Sequence, residues 1–399
     1  MQRVLPILDK IVIVTLFVFA AFSMFSISLT QIACGLGGLV WILRTHLTDT
    51  WKDQHWPLGI PFLLYVLACL VAVANAYDIS YSYKSLKKLL EILIFFWVLN
   101  CIRSNRLRDS LSLVLISSAT FAGLFGFYQA WTDGVTLGSR AEGTMSIYMT
   151  FAGLLMMAGM LALGRIMFKR PMEPWLWASV GIITVCLLFT LTRQAWFGYL
   201  IGLVFLIFFW RKKFLLSLPI IILAVFLTSP AEDKLRLKSM ISGNDLTFGI
   251  RTDLWKGGWK IFKDYPLTGC GFRCVDLINS QYPDPTGHIK RYRGMHNNFI
   301  QLAVDTGILG LTAWLGIWIC FFRLLYCKVK ALKRDPPDCW IVFGSAAAAI
   351  AFLAGGCFET NFYDSEVAMV LFFIMALPFT GSQSEKYASG KSINISGCT

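Results

Sequence analysis

Charge is what this sequence has least of. Asp, Glu, Lys and Arg make up 15% of its 399 residues, where a soluble domain carries nearer a quarter. Histidine is scarcer still, with four residues, and there is no repeat of fixed period and no low-complexity segment. An ordinary soluble domain is therefore excluded. Cysteine is not scarce, at eleven residues, but no disulfide framework follows. Most, such as Cys34, Cys69, Cys186 and Cys357, sit inside apolar runs, where cysteine is a small hydrophobe. Cys270 and Cys274 lie in a polar stretch as C-x3-C with no second Cys/His pair nearby, so a zinc centre is not indicated. A local disulfide there is open if that side is oxidising; two unpaired thiols are the expectation.

What the chain does have is apolar length. It is 56% hydrophobic, with mean hydropathy +0.63. Runs of about 20 apolar residues recur, the length of one bilayer crossing. Backbone groups in lipid must pair within their own element, so such runs are helices. The fold class is all-α and polytopic, with twelve spans at about 11–27, 28–43, 57–75, 86–101, 110–131, 146–167, 174–191, 195–210, 213–229, 298–325, 339–358 and 366–381. The first run follows Arg3 and Lys10 like a signal peptide. More spans follow at once without a clear small-residue cleavage site, so it reads as a retained helix. The domain plan is spans one to nine in 1–229, a water-side segment in 230–297, spans ten to twelve in 298–381, and a polar, disordered tail in 382–399.

The basic residues orient this plan. With the N-terminus in the cytoplasm, the inner pieces hold 20 of the 36 Lys and Arg, among them Arg103, Arg106, Arg108, Arg165, Lys169 and Arg170. The short outer loops hold five: Lys84, Lys87, Lys88, Arg140 and Arg193. The other eleven lie in 230–297, a loop long enough to translocate despite its charge. Both termini are then cytoplasmic, and 230–297 lies on the far side of the membrane. The net charge of +13 comes mainly from the inner bias and is no nucleic-acid footprint. The outer cations are the informative ones. Singly, each reads equally well as a snorkelling anchor. Together, beside a loop with 11 basic and 7 acidic residues, they suit an anionic ligand at the outer boundary, such as a lipid phosphate or diphosphate. Arginine fits that task because its planar fork engages two phosphate oxygens.

Within the polar segment, Pro230–Met240 reads as a short charged helix and Gly243–Phe248 as a loop. Arg251–Lys263 puts Leu254, Trp255, Trp259 and Phe262 on one helical face and Lys256, Lys260 and Lys263 on the other, the pattern of an interfacial helix with its aromatic side to lipid. The Pro/Gly-rich stretch DYPLTGCGF is either a plain turn or a place for close backbone approach to a ligand. After a polar loop, His296 opens the tenth span. It is the only one of the four histidines at the outer edge of a span: His46 and His55 fall in an inner loop and His288 in the polar loop.

These residues carry a resemblance. His296-Asn297, nine residues, Gly307, two residues and Gly310 resemble the H-[NSQ]-x9-G-x-x-[GTY] pattern of bacterial O-antigen ligases. Arg193-Gln-Ala-Trp-Phe197 is similar to that family's R-x3-L pattern, ending in Phe instead of Leu. RTDLWKGGWKIFKDYPLTGCGF resembles the R…W…P…G-x-G block of the wider ligase and polymerase superfamily. The resemblance implies a GT-C-type glycosyltransferase of the bacterial inner membrane, metal-independent and inverting, with its site facing the periplasm. It implies a glycan on undecaprenyl diphosphate as donor and lipid A–core as acceptor, with no cofactor. A polymerase, whose acceptor is another lipid-linked glycan, is the nearest alternative. A transporter is a more distant one, since transporters place polar groups near mid-membrane and are often built from repeats.

The chemistry can be argued from the residues too. Attack of a hydroxyl on an anomeric carbon needs a proton acceptor and a held leaving group. His296 is the expected general base. Arg193 and Arg251, then Arg140 and Arg273, are expected on the diphosphate. Secondary candidates are Lys84, Lys87 and Lys88 at the membrane surface, Asn297, and the carboxylates Asp305 and Glu359. Either carboxylate is a rival base, or a partner for the cations.

Overall fold

A computed structural model describes residues 4–136, 138–217, 219, 246–331 and 338–381. Among these the chain is helical and contains no strand. The helices of ten or more residues are α1 (Leu5–Phe22), α2 (Ile27–Leu47), α3 (Gly59–Ala74), α4 (Ile92–Cys101), α5 (Asn105–Asp133), α6 (Tyr148–Phe168), α7 (Trp175–Phe189), α8 (Arg193–Arg211), α9 (Leu246–Asp264), α10 (Asn298–Ala331), α11 (Cys339–Gly355) and α12 (Ser365–Ala376). Five of them, α1, α2, α5, α6 and α10, are long and apolar enough to cross a membrane; α3, α7, α11 and α12 are apolar but shorter. The ninth expected span, the charged helix at Pro230–Met240, and the tail from Ser382 lie wholly or mostly outside the described residues.

Two expectations change. The loop expected through Phe248 gives way to helix, since α9 starts at Leu246. The fourth span, expected over 86–101, divides: Tyr83–Glu91 is a 3-10 helix and only Ile92–Cys101 is α-helical. The first part carries Lys84, Lys87, Lys88 and Glu91, and three residues per turn put Lys84 and Lys87 on one edge and Lys88 with Glu91 on another.

The centre of the bundle is α6, with 94% of its apolar stretch buried. Apolar burial does not drive helices together in lipid, so close packing of small residues has to. That is how α6, α8 and α11 meet. A Cβ on Gly164 would lie 2.5 Å from the Gly344 Cα, and one on Gly198 would lie 2.4 Å from the Ala351 carbonyl. At the end where α5 begins and α6 finishes, the charges are paired with one another. Arg108, 1% exposed, reaches Asp109 at 2.8 Å and Asp338 at 2.7 Å; Arg165 reaches Glu173 at 2.6 Å; Lys169 reaches Asp109.

The other end is organised by a break in α10. Gly307 has φ 63° and ψ −164°, and the helix is interrupted there. The chain after α9 fills the gap. Ile308 and Leu309 donate to the carbonyls of Pro266 and Leu267 at 2.9 and 3.2 Å. Cys270 and Gly271 donate to Val304 and Asp305 at 2.9 and 3.1 Å. The backbone groups freed by the break thus find partners. The glycines of the Pro/Gly-rich stretch serve this contact, chain against chain, and not the approach of a ligand. A Cβ on Gly269 would sit 2.4 Å from the Asp305 carbonyl carbon, and one on Gly307 would sit 2.3 Å from the Leu267 oxygen. The same stretch is fastened to the end of α3 by Tyr77 donating to the Cys270 carbonyl at 2.9 Å, and Phe272 donates to Ser82 Oγ at 2.8 Å.

Gly269→Ala and Gly307→Ala should each destabilise the protein by at least ~1–3 kcal/mol through backbone strain, before any clash is counted. Thermal unfolding in detergent checks this, and an unchanged melting temperature would refute the close approach.

Candidate active site

His296 and the two asparagines behind it form one unit. Asn297 caps α10, its Oδ1 accepting from Phe299 and Ile300 at 2.9 and 3.1 Å. Its Nδ2 donates to the Cys357 carbonyl at 2.8 Å. Asn298 donates through its backbone to Gly356 at 2.7 Å and through Nδ2 to Asn361 Oδ1 at 2.6 Å, and its Oδ1 accepts from Phe362 at 3.1 Å. The start of α10 therefore holds the loop 356–362 that joins α11 to α12. His296 precedes the cap with φ 45°, a left-handed conformation uncommon outside glycine and asparagine.

This clamp brings Glu359 to the histidine. His296 Nδ1 lies 2.9 Å from Glu359 Oε1, with the two side chains 26% and 12% exposed. Oε1 also accepts from the Thr360 backbone at 3.0 Å. Burial pushes the Glu359 carboxyl up, but the hydrogen bond and charge of His296, the Thr360 N–H and the nearby Arg251 charge outweigh it. The carboxyl therefore titrates below its ordinary value. An ionised carboxylate only accepts, so Nδ1 is the donor in this contact, and in a neutral imidazole held this way Nε2 is the nitrogen left with a lone pair.

The arginines arrive on neighbouring elements. Arg251 is on α9, and one turn later Trp255 donates Nε1 to the Met295 carbonyl at 3.0 Å, just before the histidine. The Trp255 ring lies 6.1 Å from Phe358, beside Glu359. Arg193 opens α8 after a tight turn, and one turn later Phe197 meets the same Phe358 ring edge-on at 5.7 Å. Arg140 lies over the Tyr148 ring at 4.1 Å, and the next residue, Ala141, donates to Phe189 at the end of α7, where the turn to Arg193 begins. His296, Asn297, Glu359 and Arg251 are thus brought together, with Arg193 and Arg140 on adjoining elements.

The remaining candidates gather elsewhere. Lys84, Lys87, Lys88, Arg273 and Asp305 line a cavity of about 660 Å³ whose lining does not include His296. Asp305 is 2% exposed, and Gln301 Nε2 lies 3.0 Å from each of its oxygens. Tyr292 lines this cavity and also meets the His296 ring edge-on at 6.1 Å. Asn298, Asn361 and Tyr292 were not singled out by sequence reasoning. The doubled asparagine after His296 was the one local signal for Asn298; the others show only when distant segments meet.

Two further expectations are corrected. Leu254 does not face outward. Together with Ile261 it is buried in a second core with Val275, Ile278, Ile289 and Met295, because the glycines on this face admit close packing: a Cβ on Gly257 would lie 2.2 Å from the Ile289 side chain. Trp255 is half-buried, while Trp259 is 56% exposed and stacked on Phe262. Cys270 and Cys274, expected as free thiols, are joined as a disulfide in that same core. Asp253, Asp284 and His288 bring possible metal-ligand atoms within 4.8 Å of one another. Their hydrogen bonds are made internally: Asp284 accepts from the His288 and Ile289 backbones, and His288 Nδ1 lies 3.1 Å from Asp253.

The chain thus combines helices long and apolar enough to cross a membrane with a clamped His–Glu pair near an arginine. Residues 178–315 match the family model described as O-antigen ligase. The match supports membership of the O-antigen ligase and polymerase superfamily, whose members are glycosyltransferase-like enzymes. It spans Arg193, Arg251, Arg273, His296 and Asp305, and leaves Arg140 and Glu359 outside. No curated protein matches the chain.

Asn298→Ala should free the 356–362 loop, losing buried hydrogen bonds worth ~1–3 kcal/mol. A lowered melting temperature and faster amide exchange at Glu359 to Phe362 are expected; unchanged exchange would mean the loop is held by other contacts.

Proposed function

We propose that this protein transfers a glycan from undecaprenyl diphosphate to lipid A–core at the periplasmic face of the bacterial inner membrane. The observation that carries this reading is the contact of His296 with a buried, ionised Glu359 under the charge of Arg251. In this reading Nε2 of His296 takes the proton of the acceptor hydroxyl. The acceptor oxygen forms a bond to the anomeric carbon, and the bond from that carbon to the diphosphate breaks. The electron pair leaves with the diphosphate, and attack opposite the leaving group inverts the anomeric centre. Glu359 holds the imidazole and stabilises its charge, as a carboxylate does in a hydrolase triad.

Arg193, Arg251 and Arg140 face the leaving group in this scheme. A diphosphate departs readily once its developing charge is neutralised, and fixed guanidinium groups supply that without a metal. Two further facts support an outward-facing site. The Cys270–Cys274 disulfide suits an oxidising compartment, and the basic residues of the short loops favour the opposite side by 20 to 5. A polymerase would use the same donor chemistry with a lipid-linked glycan as acceptor. Transport is less well supported, because the His–Glu pair and its arginines gather at one end of the helices.

Purified protein given lipid-linked glycan, chelator and either lipid A–core or more donor should form the lipid A–core product; chain extension of the donor would favour the polymerase. His296→Ala should lower kcat by about 10²–10⁴-fold, the usual contribution of a general base. Glu359→Gln should lower kcat by up to about 10⁴-fold, because the wrong imidazole tautomer is then tolerated. Wild-type turnover in His296→Ala would eliminate it as base. Arg251→Lys should lower kcat/KM by about tenfold although the charge is kept, since the bidentate fork is lost; an undiminished lysine variant would argue against a phosphate contact.

A further inference from the structure

The cavity behind Tyr292 is not explained by the transfer chemistry. Its lining includes Lys84, Lys87 and Lys88 of the 3-10 helix Tyr83–Glu91, the arginines Arg273 and Arg293, and the rings of Phe272 and Phe362. Three carboxylates also face it, Glu91, Asp276 and Asp305. Arg273 is paired with Asp276 at 2.7 Å, Lys88 donates to the Tyr363 carbonyl, and Asp305 is held by Gln301. Lys84, Lys87 and Arg293 have no carboxylate partner among the described residues. Arg293 is held by a single bond from its Nε to the Lys290 carbonyl at 3.3 Å.

The two arginines share a backbone feature, found also at Asp49, Leu58, Leu191 and His296. Arg273 and Arg293 have φ of 59° and 56°. Arg293 occupies the left-handed position that ends the helix His288–Tyr292, although a glycine, Gly294, stands next in the chain. Glycine is the usual choice at that position. Strain of this kind is kept where the surroundings over-determine it, often at ligand sites.

We propose that this cavity binds a phosphate group carried by the second substrate, the acceptor, and that Tyr292 separates it from the donor diphosphate at Arg193 and Arg251. This rests on the transfer reading given above. A lining that mixes aromatic rings with several cations suits a phosphorylated amphiphile better than a free ion. The arrangement also separates two clusters of like charge. With both phosphate groups in one clamp, the donor and acceptor would repel each other; with Tyr292 between them, each has its own counter-charges.

The test uses the full-length protein in nanodiscs of phosphatidylcholine. The variant is Lys84→Ala/Lys87→Ala/Arg293→Ala, with Lys84→Arg/Lys87→Arg/Arg293→Lys as the conservative control and thermal unfolding to confirm that both fold. Initial rates are measured against lipid A–core at saturating donor, and against donor at saturating lipid A–core. The alanine variant should raise the acceptor KM about tenfold or more, the cost of lost charge-assisted bonds, while the donor KM holds and the conservative variant recovers. With enzymatically dephosphorylated lipid A–core, wild type and variant should converge. A rise in donor KM alone would assign the cavity to the donor and overturn the proposal. An effect that appears only when the discs contain anionic lipid would make these cations a headgroup anchor and overturn it as well. Direct binding of labelled lipid A–core without donor separates the two readings. Binding that is lost in the alanine variant while wild type performs no transfer would sink the transfer reading and leave the cavity assignment standing. Equal binding by both would sink the cavity assignment.

Discussion

A helix broken near a membrane surface needs partners for its freed backbone groups, and the site depends on how this chain finds them. The interruption at Gly307 is filled by residues 266–271, whose carbonyls and N–H groups pair with both sides of the gap. The repair is possible only because Gly269 and Gly307 lack side chains. It fixes the direction of the first two turns of α10, which with the capping Asn297 carry Asn298, Gln301 and Asp305. Asn297 and Asn298 reach the 356–362 loop; Gln301 and Asp305 reach the cavity. One backbone junction therefore sets the positions of both the His–Glu pair and the neighbouring cationic pocket.

The His–Glu pair then follows from electrostatics. A buried carboxylate is costly unless it gains donors and positive charge. Glu359 gains an imidazole, a backbone N–H and a nearby guanidinium, and it stays ionised. The imidazole is in turn held through its Nδ1 and meets the Tyr292 ring edge-on. Arg251 acts on the same carboxylate, and Trp255 and Phe197, each one turn after an arginine, meet the same Phe358 ring beside it.

Much of this could be read from the residue order alone. His296 was marked by scarcity and by its place at the head of an apolar run. Gly307 and Gly310 were marked by spacing, and Arg193 and Arg251 by lying on the side where topology calls for few cations. What could not be read came from pairings across long separations. Glu359 is 63 residues from His296, and nothing near it in the chain announces the partner. The lysines of 84–88 looked like an α-helix start, and periodicity does not encode that Tyr83–Glu91 winds as a 3-10 helix. Leu254 read as lipid-facing because it shares a helical face with tryptophans, yet a second small core takes it inward. The disulfide was likewise invisible, because spacing does not say whether two sulfurs meet.

The two ends of the protein treat their cations differently, and the difference is an argument about function. At the end where α5 begins, Arg108, Arg165 and Lys169 are buried against Asp109, Glu173 and Asp338, and Arg165 and Lys169 also lie over the Trp340 ring at 4.6 and 5.5 Å. Charges held for structure are neutralised in this way, since removing one partner would strand the other in a poor solvent for charge. At the opposite end Lys84, Lys87 and Arg293 are exposed at a cavity that also holds Glu91, Asp276 and Asp305, and Arg293 occupies a backbone position better suited to glycine. Buried cations need such partners, whereas cations at a surface are met by water or by a ligand, so the two sets obey different constraints. The same contrast separates the carboxylates. Asp305 is buried and held at both oxygens by Gln301 Nε2, whereas Glu359 is held on one oxygen by the His296 imidazole at a more open edge.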